Sequence, residues 1–296
     1  MQKPQSHSHR QPILGVTFDL IDYHAAFERI AHWRSTSRKA YVCMTNPHSV
    51  LLCHRNSRMR QATAGAALTL PDGAGIVLAA SLLGYNNSGR VTGPTLMLKL
   101  CDWGRAYGFS HFFYGGTEGV AKRLADRLSR IYPGLQITGT FCPAFRALSA
   151  QEDRAIVEHI NRCRPDILWV GLGAPKQEIW MAEHLGHIDV TAMIGVGAAF
   201  DFHSGNVKWA PAWLRRLGLE WAYRLAQQPR QMWRRNLDSP VFVAKLLRQR
   251  LRLAPDRGGS LNHQFPDAPR QLAAPAEHAA DYMTMTGPAG ARQTNH

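Results

Sequence analysis

From residue 13 onward the chain alternates short apolar runs with stretches of helical periodicity. The runs at 13–18, 40–44, 67–70, 111–114, 135–141, 166–170 and 190–194 have the length and the β-branched and aromatic content of strands. Between them, 23–34, 47–54, 74–83, 95–107, 118–131, 150–162 and 176–185 repeat apolar positions at helical spacing. Alternation at this spacing predicts parallel pairing through right-handed crossovers. The expected class is therefore α/β: an open, mostly parallel, Rossmann-like sheet with helices on both faces. Ligands bind such sheets beyond the carboxyl ends of the strands. Polar residues and glycines at those ends are the first candidates for chemistry.

Composition changes along the chain and divides it. Residues 1–12 are polar and His-rich, lack the apolar stretch of a signal peptide, and read as a disordered lead. Residues 13–205 are the α/β domain. Residues 206–254 carry eleven Lys and Arg against only Glu220 and Asp238, together with Trp209, Trp213, Trp221 and Trp233. Within this segment, 211–228 reads as one helix between two prolines, and 241–253 as a second. A basic amphipathic helix with interfacial tryptophans suits the surface of an anionic bilayer. A helix packed on the domain with its arginines in solvent gives the same pattern. A nucleic-acid surface is the rival, but no recognised motif accompanies it. Residues 255–296 are rich in Pro, Ala and Gly and read as a disordered tail. The formal net charge of +14 over 296 residues, most of it in 206–254, calls for an anionic partner. Five widely spaced cysteines without a C-x-x-C pair argue against a disulfide framework or a Cys-type zinc site, and for a reducing compartment. No run reaches the roughly 18–20 apolar residues of a spanning helix. A cytoplasmic protein with at most peripheral membrane contact is expected.

Six constellations fall at strand–helix junctions. Leu70-Pro71-Asp72-Gly73 puts a carboxylate at a strand end, where it can act as a general base or simply cap a turn. Thr45-Asn46-Pro47 offers polar groups, or a helix cap with proline at the first position. Arg90-Val91-Thr92-Gly93 presents a guanidinium that suits a phosphate, or a solvated loop. Tyr114-Gly115-Gly116-Thr117 has backbone N–H groups able to cradle a diphosphate. It is neither a Walker A loop nor a G-x-G-x-x-G turn, which disfavours a nicotinamide dinucleotide. Gly171-Leu172-Gly173, followed by Lys176, Gln177 and Glu178, is either a second nucleotide turn or a tight βα turn with a surface lysine. In the run 195–205, Asp201 and His203 read as anchors of the hinge to the basic segment rather than as catalysts. The fourteen histidines show no metal-ligand spacing, and no D-x-D pair is present at Asp72. No metal and no cofactor are expected.

Taken in order, Leu-Pro-Asp72-Gly, Arg90-Val-Thr-Gly, Gly173-Ala-Pro-Lys-Gln177-Glu, Gly197-Ala-Ala-Phe-Asp-Phe-His-Ser-Gly205 and Gly218-Leu-Glu-Trp221-Ala-Tyr-Arg224 resemble the WecG/TagA/CpsF group, glycosyltransferase family 26. The resemblance spans roughly residues 13–251. It implies an inverting, metal-independent transfer of a sugar from a UDP-sugar to a polyprenyl-diphosphate-linked saccharide, on the inner face of the cytoplasmic membrane, in exopolysaccharide or cell-surface glycopolymer synthesis. Relatives use glucose, N-acetylmannosamine or N-acetylmannosaminuronic acid. By resemblance, Asp72 matches the proposed base, and Asn46, Arg90 and Gln177 match the same site. Met44 stands where the family often has Thr, so the match at Thr45 is displaced. Gly115, Gly116, Gly171, Gly173, Lys176 and Glu178 are the expected nucleotide-sugar contacts. Arg224, Arg230 and Arg234 lie where a C-terminal helical, membrane-associating appendage supplies arginines to the diphosphate and the lipid. Expected partners are the UDP-sugar, the lipid-linked acceptor and an anionic membrane surface, without nucleic acid; a homo-oligomer stays open. The alternatives are a nucleotide-binding oxidoreductase and a non-enzymatic membrane-surface or nucleic-acid adaptor.

Overall fold

The structure, a computed structural model, describes residues 10–86 and 89–253. Residues 1–9 of the expected lead and the expected tail lie outside the described residues. The chain opens with strands β1 (Arg10–Ile13) and β2 (Val16–Asp19), then α1 (Tyr23–Ser35), β3 (Ala40–Thr45), α2 (Pro47–Arg55), α3 (Ser57–Ala64), β4 (Leu68–Pro71) and α4 (Ala74–Leu82). It continues through α5 (Gly93–Trp103), β5 (Ser110–Gly115), α6 (Val120–Ile131), β6 (Gln136–Phe141), α7 (Ala150–Cys163), β7 (Ile167–Gly171), α8 (Lys176–His184), β8 (Ala192–Gly195) and α9 (Ala199–Ser204). The basic segment forms α10 (Ala212–Arg216), α11 (Glu220–Gln227), α12 (Pro229–Asn236) and α13 (Asp238–Leu253).

Six strands form one parallel sheet in the order β4-β3-β8-β7-β5-β6. Every residue of β3, β4, β5 and β8 is buried, as expected of parallel strands covered on both faces. Alternate side chains go to opposite sides. Val42, Met44, Phe113 and Trp169 join α1, α5 and α6 in one core cluster. Tyr41, Cys43, Phe112 and Tyr114 join α7 and α8 in the other. The expected open α/β sheet with helices on both faces is what the chain forms.

Three local expectations are corrected. The single strand at 13–18 is an antiparallel hairpin, pairing Ile13 with Val16 across a two-residue turn. Leu14 and Gly15 both have positive φ, as that turn requires. Residues 10–12, expected in the lead, are therefore part of β1. The helix α3 was not expected: its sequence is polar, and only Met59, Ala62 and Thr63 are buried. Asn56 ends α2 and caps α3 by accepting from the Met59 N–H at 3.0 Å. The helix expected over 211–228 is broken into α10 and α11. Gly218 sits at the break with φ +75°, and a Cβ there would lie 2.7 Å from that of Ala74.

The last helix does not stand apart from the domain. Phe242 and Leu246 of α13 are buried in a third cluster with Ile13 and Phe18 of the hairpin, Val50 and Leu51 of α2, and Ile76 of α4. Asp238 fastens the same helix to α2 by accepting from Arg55 Nη2 at 2.7 Å and meeting His48 Nδ1 at 2.5 Å. No helix among the described residues is long and apolar enough to cross a membrane.

Candidate active site

The carboxyl ends of β3, β4, β7 and β8 surround a cavity of about 110 Å3. The residue after β3 is Asn46. Its Oδ1 accepts from the Ser49 N–H at 3.0 Å and the Ser49 hydroxyl at 3.3 Å, which caps α2. With its oxygen committed, Asn46 has its amide N–H groups left to offer the cavity. Thr45, just before it, is buried, and its hydroxyl has no hydrogen-bond partner among the described residues.

Asp72 follows β4. Its N–H donates to the Thr45 carbonyl at 3.0 Å, and the Val91 N–H donates to the Pro71 carbonyl at 3.1 Å. Those bonds draw the loop carrying Arg90 against the end of β4. The Gly93 N–H at the start of α5 favours the ionised form of the Asp72 carboxylate. Burial pushes the Asp72 carboxyl up to about 6, and the nearby Glu220 carboxylate adds to the rise. Arg90, Arg224 and the Gly93 N–H act in the opposite direction. The result is a carboxylate ionised at neutral pH that still has appreciable affinity for a proton.

The turn after β7 places Gln177 and Glu178, both buried, in the first turn of α8. Gln177 Oε1 accepts from the Gly173 N–H at 3.2 Å, and its Nε2 donates to Glu178 Oε1 at 2.9 Å. The end of β8 must be small to admit this amide: a Cβ on Gly195 would lie 2.8 Å from Met181 and 3.1 Å from Gln177. The fourth side comes from α11, where Glu220 and Arg224 line the cavity one helical turn apart. Arg224 is largely enclosed, its guanidinium 5.2 Å from the Phe202 ring. Burial lowers its proton affinity, and Glu220, Asp72 and Asp201 offset that. Helices α4, α5 and α8 begin around the cavity without side-chain caps. Their positive ends favour an anion there.

The expected residues Asp72, Asn46, Gln177, Glu178, Gly173 and Arg224 thus share one cavity. Arg90 acts on Asp72 from beside it and donates to the Arg215 carbonyl at 2.7 Å. Gly115, Gly116 and Gly171 do not line it. A Cβ on Gly115 would lie 2.6 Å from the Gly171 backbone, and one on Gly171 would lie 2.6 Å from the Phe200 ring. These three glycines serve close packing at the sheet's edge of the site. Lys176 lies over the Phe145 ring at 5.1 Å instead of in the cavity. Arg230 is exposed in the first turn of α12, and the side chain of Arg234 lies outside the described residues. His203 is buried against the Pro94 carbonyl at 2.8 Å, and Asp201 accepts from Asn206 at 2.8 Å, so both tie the hinge down as expected. Glu220 was missed, although its place four residues before Arg224 in a helical segment signals a facing pair. Among the described residues no group of three or more His, Cys, Asp or Glu side chains is gathered to hold a metal ion. A wider cavity of about 250 Å3, between the hairpin and α3, contains none of the expected residues.

A titratable carboxylate at the open end of a parallel sheet, flanked by arginines and helix starts, is an arrangement that suits an anionic ligand beside a proton acceptor. The chain belongs to the Glycosyl transferase WecG/TagA/CpsF family, whose model matches residues 11–256, and it is a glycosyltransferase. A Bacillus spizizenii (strain W23) protein is 30% identical over 240 residues, covering 79% of this chain and 91% of its own length. A Bacillus subtilis (strain 168) protein is 28% identical over 218 residues, covering 74% and 83%. A Staphylococcus aureus (strain MW2) protein is 26% identical over 251 residues, covering 84% and 96%. All three relatives are named N-acetylglucosaminyldiphosphoundecaprenol N-acetyl-beta-D-mannosaminyltransferase.

Proposed function

We propose that this enzyme moves a sugar, with inversion and without a metal ion, from a UDP-sugar to a saccharide carried on a polyprenyl diphosphate. The observation that carries the reading is Asp72, a carboxylate with raised proton affinity in the same cavity as Arg224 and beside Arg90. In one displacement the acceptor hydroxyl oxygen bonds to the sugar C1 as the bond from C1 to the UDP oxygen breaks. Asp72 takes the hydroxyl proton, and UDP leaves with the electron pair. The charge growing on the diphosphate is met by Arg224, Arg90 and the uncapped helix starts. The amide groups of Asn46 and Gln177 hold sugar hydroxyls. The names of the three relatives make N-acetylmannosamine the first donor sugar to try, and a lipid-linked N-acetylglucosamine the first acceptor.

The basic helices support a membrane-facing acceptor. Trp213, Trp221 and Trp233 are all about half exposed or more, Leu217 and Leu251 are exposed as well, and the same segment exposes Arg216, Lys245, Arg248 and Arg252. Each such cation near an anionic bilayer contributes about 1 kcal/mol, and the attraction weakens with salt. The protein is thus a peripheral enzyme on the cytoplasmic face of the membrane.

The test is UDP release from UDP-N-acetylmannosamine with a lipid-linked N-acetylglucosamine acceptor. Asp72→Asn keeps the shape and removes the base, so turnover falls by roughly 10²-fold or more with little change in donor binding. Excess EDTA leaves the wild-type rate unchanged. Near-normal turnover in Asp72→Asn, or loss of activity on chelation that added magnesium restores, contradicts the mechanism.

A further inference from the structure

The cavity is more acidic than binding a diphosphate calls for. Asp72, Glu178 and Glu220 line it, and among the described lining residues Arg224 is the cation. Glu178 accepts from Gln177, and Glu220 is left without a task in the transfer itself. It is held firmly: Oε1 accepts from Trp209 Nε1 at 3.3 Å, and that indole is covered by the Arg215 guanidinium at 3.6 Å. From this position it faces two groups. It is the leading charge offsetting the burial of Arg224, ahead of Asp72 and Asp201. It is also the carboxylate that acts on Asp72, against Arg90 from the loop before α5, Arg224 from α11 and the Gly93 N–H of α5.

We propose that Glu220, a carboxylate on α11 lining the same cavity as Asp72, is a positioning residue for the transfer that strengthens Asp72 as the base. The inference rests on the reading of Asp72 as the base. Burial makes the Asp72 anion a stronger base, while Arg90, Arg224 and the Gly93 N–H stabilise that anion. A second carboxylate nearby makes that anion less comfortable and strengthens it as a base. Asp72 belongs to the sheet and Glu220 to the C-terminal helices, so two distant parts of the chain bring their carboxylates to one cavity.

The experiment measures kcat/KM against pH for the full-length wild type, Glu220→Gln, Glu220→Asp and Asp72→Asn, with UDP-N-acetylmannosamine and the lipid-linked acceptor. Removing the Glu220 charge moves the acidic limb of the profile to lower pH. The ratio of activity at pH 5.5 to that at pH 8 therefore rises several-fold in Glu220→Gln, and Glu220→Asp returns it toward wild type. Should Glu220→Gln fail to fold, Glu220→Ala, which also removes the charge, moves the limb in the same direction. A limb that stays at its wild-type position in a folded Glu220→Gln, or in folded Glu220→Ala when that variant carries the test, overturns the proposal. A limb that persists in the residual activity of Asp72→Asn defeats the base assignment instead. One that vanishes there but is unmoved in Glu220→Gln defeats only the role of Glu220.

Discussion

Gly115→Ala separates two roles that a glycine after a strand can have. Gly115 has φ +134°, a conformation that costs a residue with a side chain about 1–3 kcal/mol. The added Cβ would sit 2.6 Å from the carbonyl carbon and oxygen of Gly171 and 2.7 Å from its Cα. Those are backbone atoms of the neighbouring strand β7, paired in register with Gly115, and cannot swing aside as a side chain can. Overpacking of this kind adds about 1–3 kcal/mol. The substitution should therefore cost about 3 kcal/mol or more, and for a chain of this size each kcal/mol lowers Tm by about 2–4 °C. A thermal melt followed by circular dichroism should drop by about 6–12 °C or more. At a temperature where the variant is still folded, its KM for the donor should stay close to wild type. An unchanged melt with a raised donor KM would refute this reasoning and return Gly115 to the role of a diphosphate cradle.

Wild-type kcat/KM should rise with pH and level off above about 6, because Asp72 must be ionised to accept a proton and its carboxyl is raised to about 6; an acidic limb near the ordinary carboxylate range would contradict this. Arg224→Ala should lower kcat by at least about 10-fold, as loss of a charge-stabilising group does, without lowering the melt; full activity would remove it from the site. Burial lowers His111 to about 4 and His203 to about 4, below the unfolded value, so both favour the folded state above about pH 6.5 and oppose it as pH falls toward 4. Urea midpoints should decline over that window, and His111→Gln should flatten the decline; an identical slope in the variant would rule His111 out as a source.

The elements legible in sequence are those whose burial leaves a continuous trace. β3 and β5 are buried on both faces and read as unbroken apolar runs. The hairpin turn was hidden because Leu14 stands where asparagine usually signals a positive φ. The helix α3 was hidden because its packing rests on Met59 and two small residues. Within the site, Asp72 and Asn46 were legible because strand ends of a parallel sheet converge. The glycines were ambiguous: Gly173 and Gly115 both follow strands, yet one lines the cavity and the other meets a backbone. Only a measured approach distinguishes them. Glu220 lay within the segment read for charge, where an excess of arginines drew attention away from an acid one helical turn from Arg224.

The two ends of the described chain finish each other. Gln249 on α13 accepts from the Leu14 N–H at 2.8 Å and donates to the Pro12 carbonyl at 3.3 Å, clasping the turn of the first hairpin. Phe242 and Leu246 lie against the apolar face of that same hairpin. The hairpin, near the start of the described residues, therefore has its apolar side fully covered only once α13, near their end, is in place. Contacts of such long sequence separation form late and leave apolar surface open meanwhile. A nascent chain halted before α13 would expose the hairpin together with α2, whose N-terminus carries Asn46. A chain without α13 is thus marked by the apolar face it leaves open over the hairpin, α2 and α4.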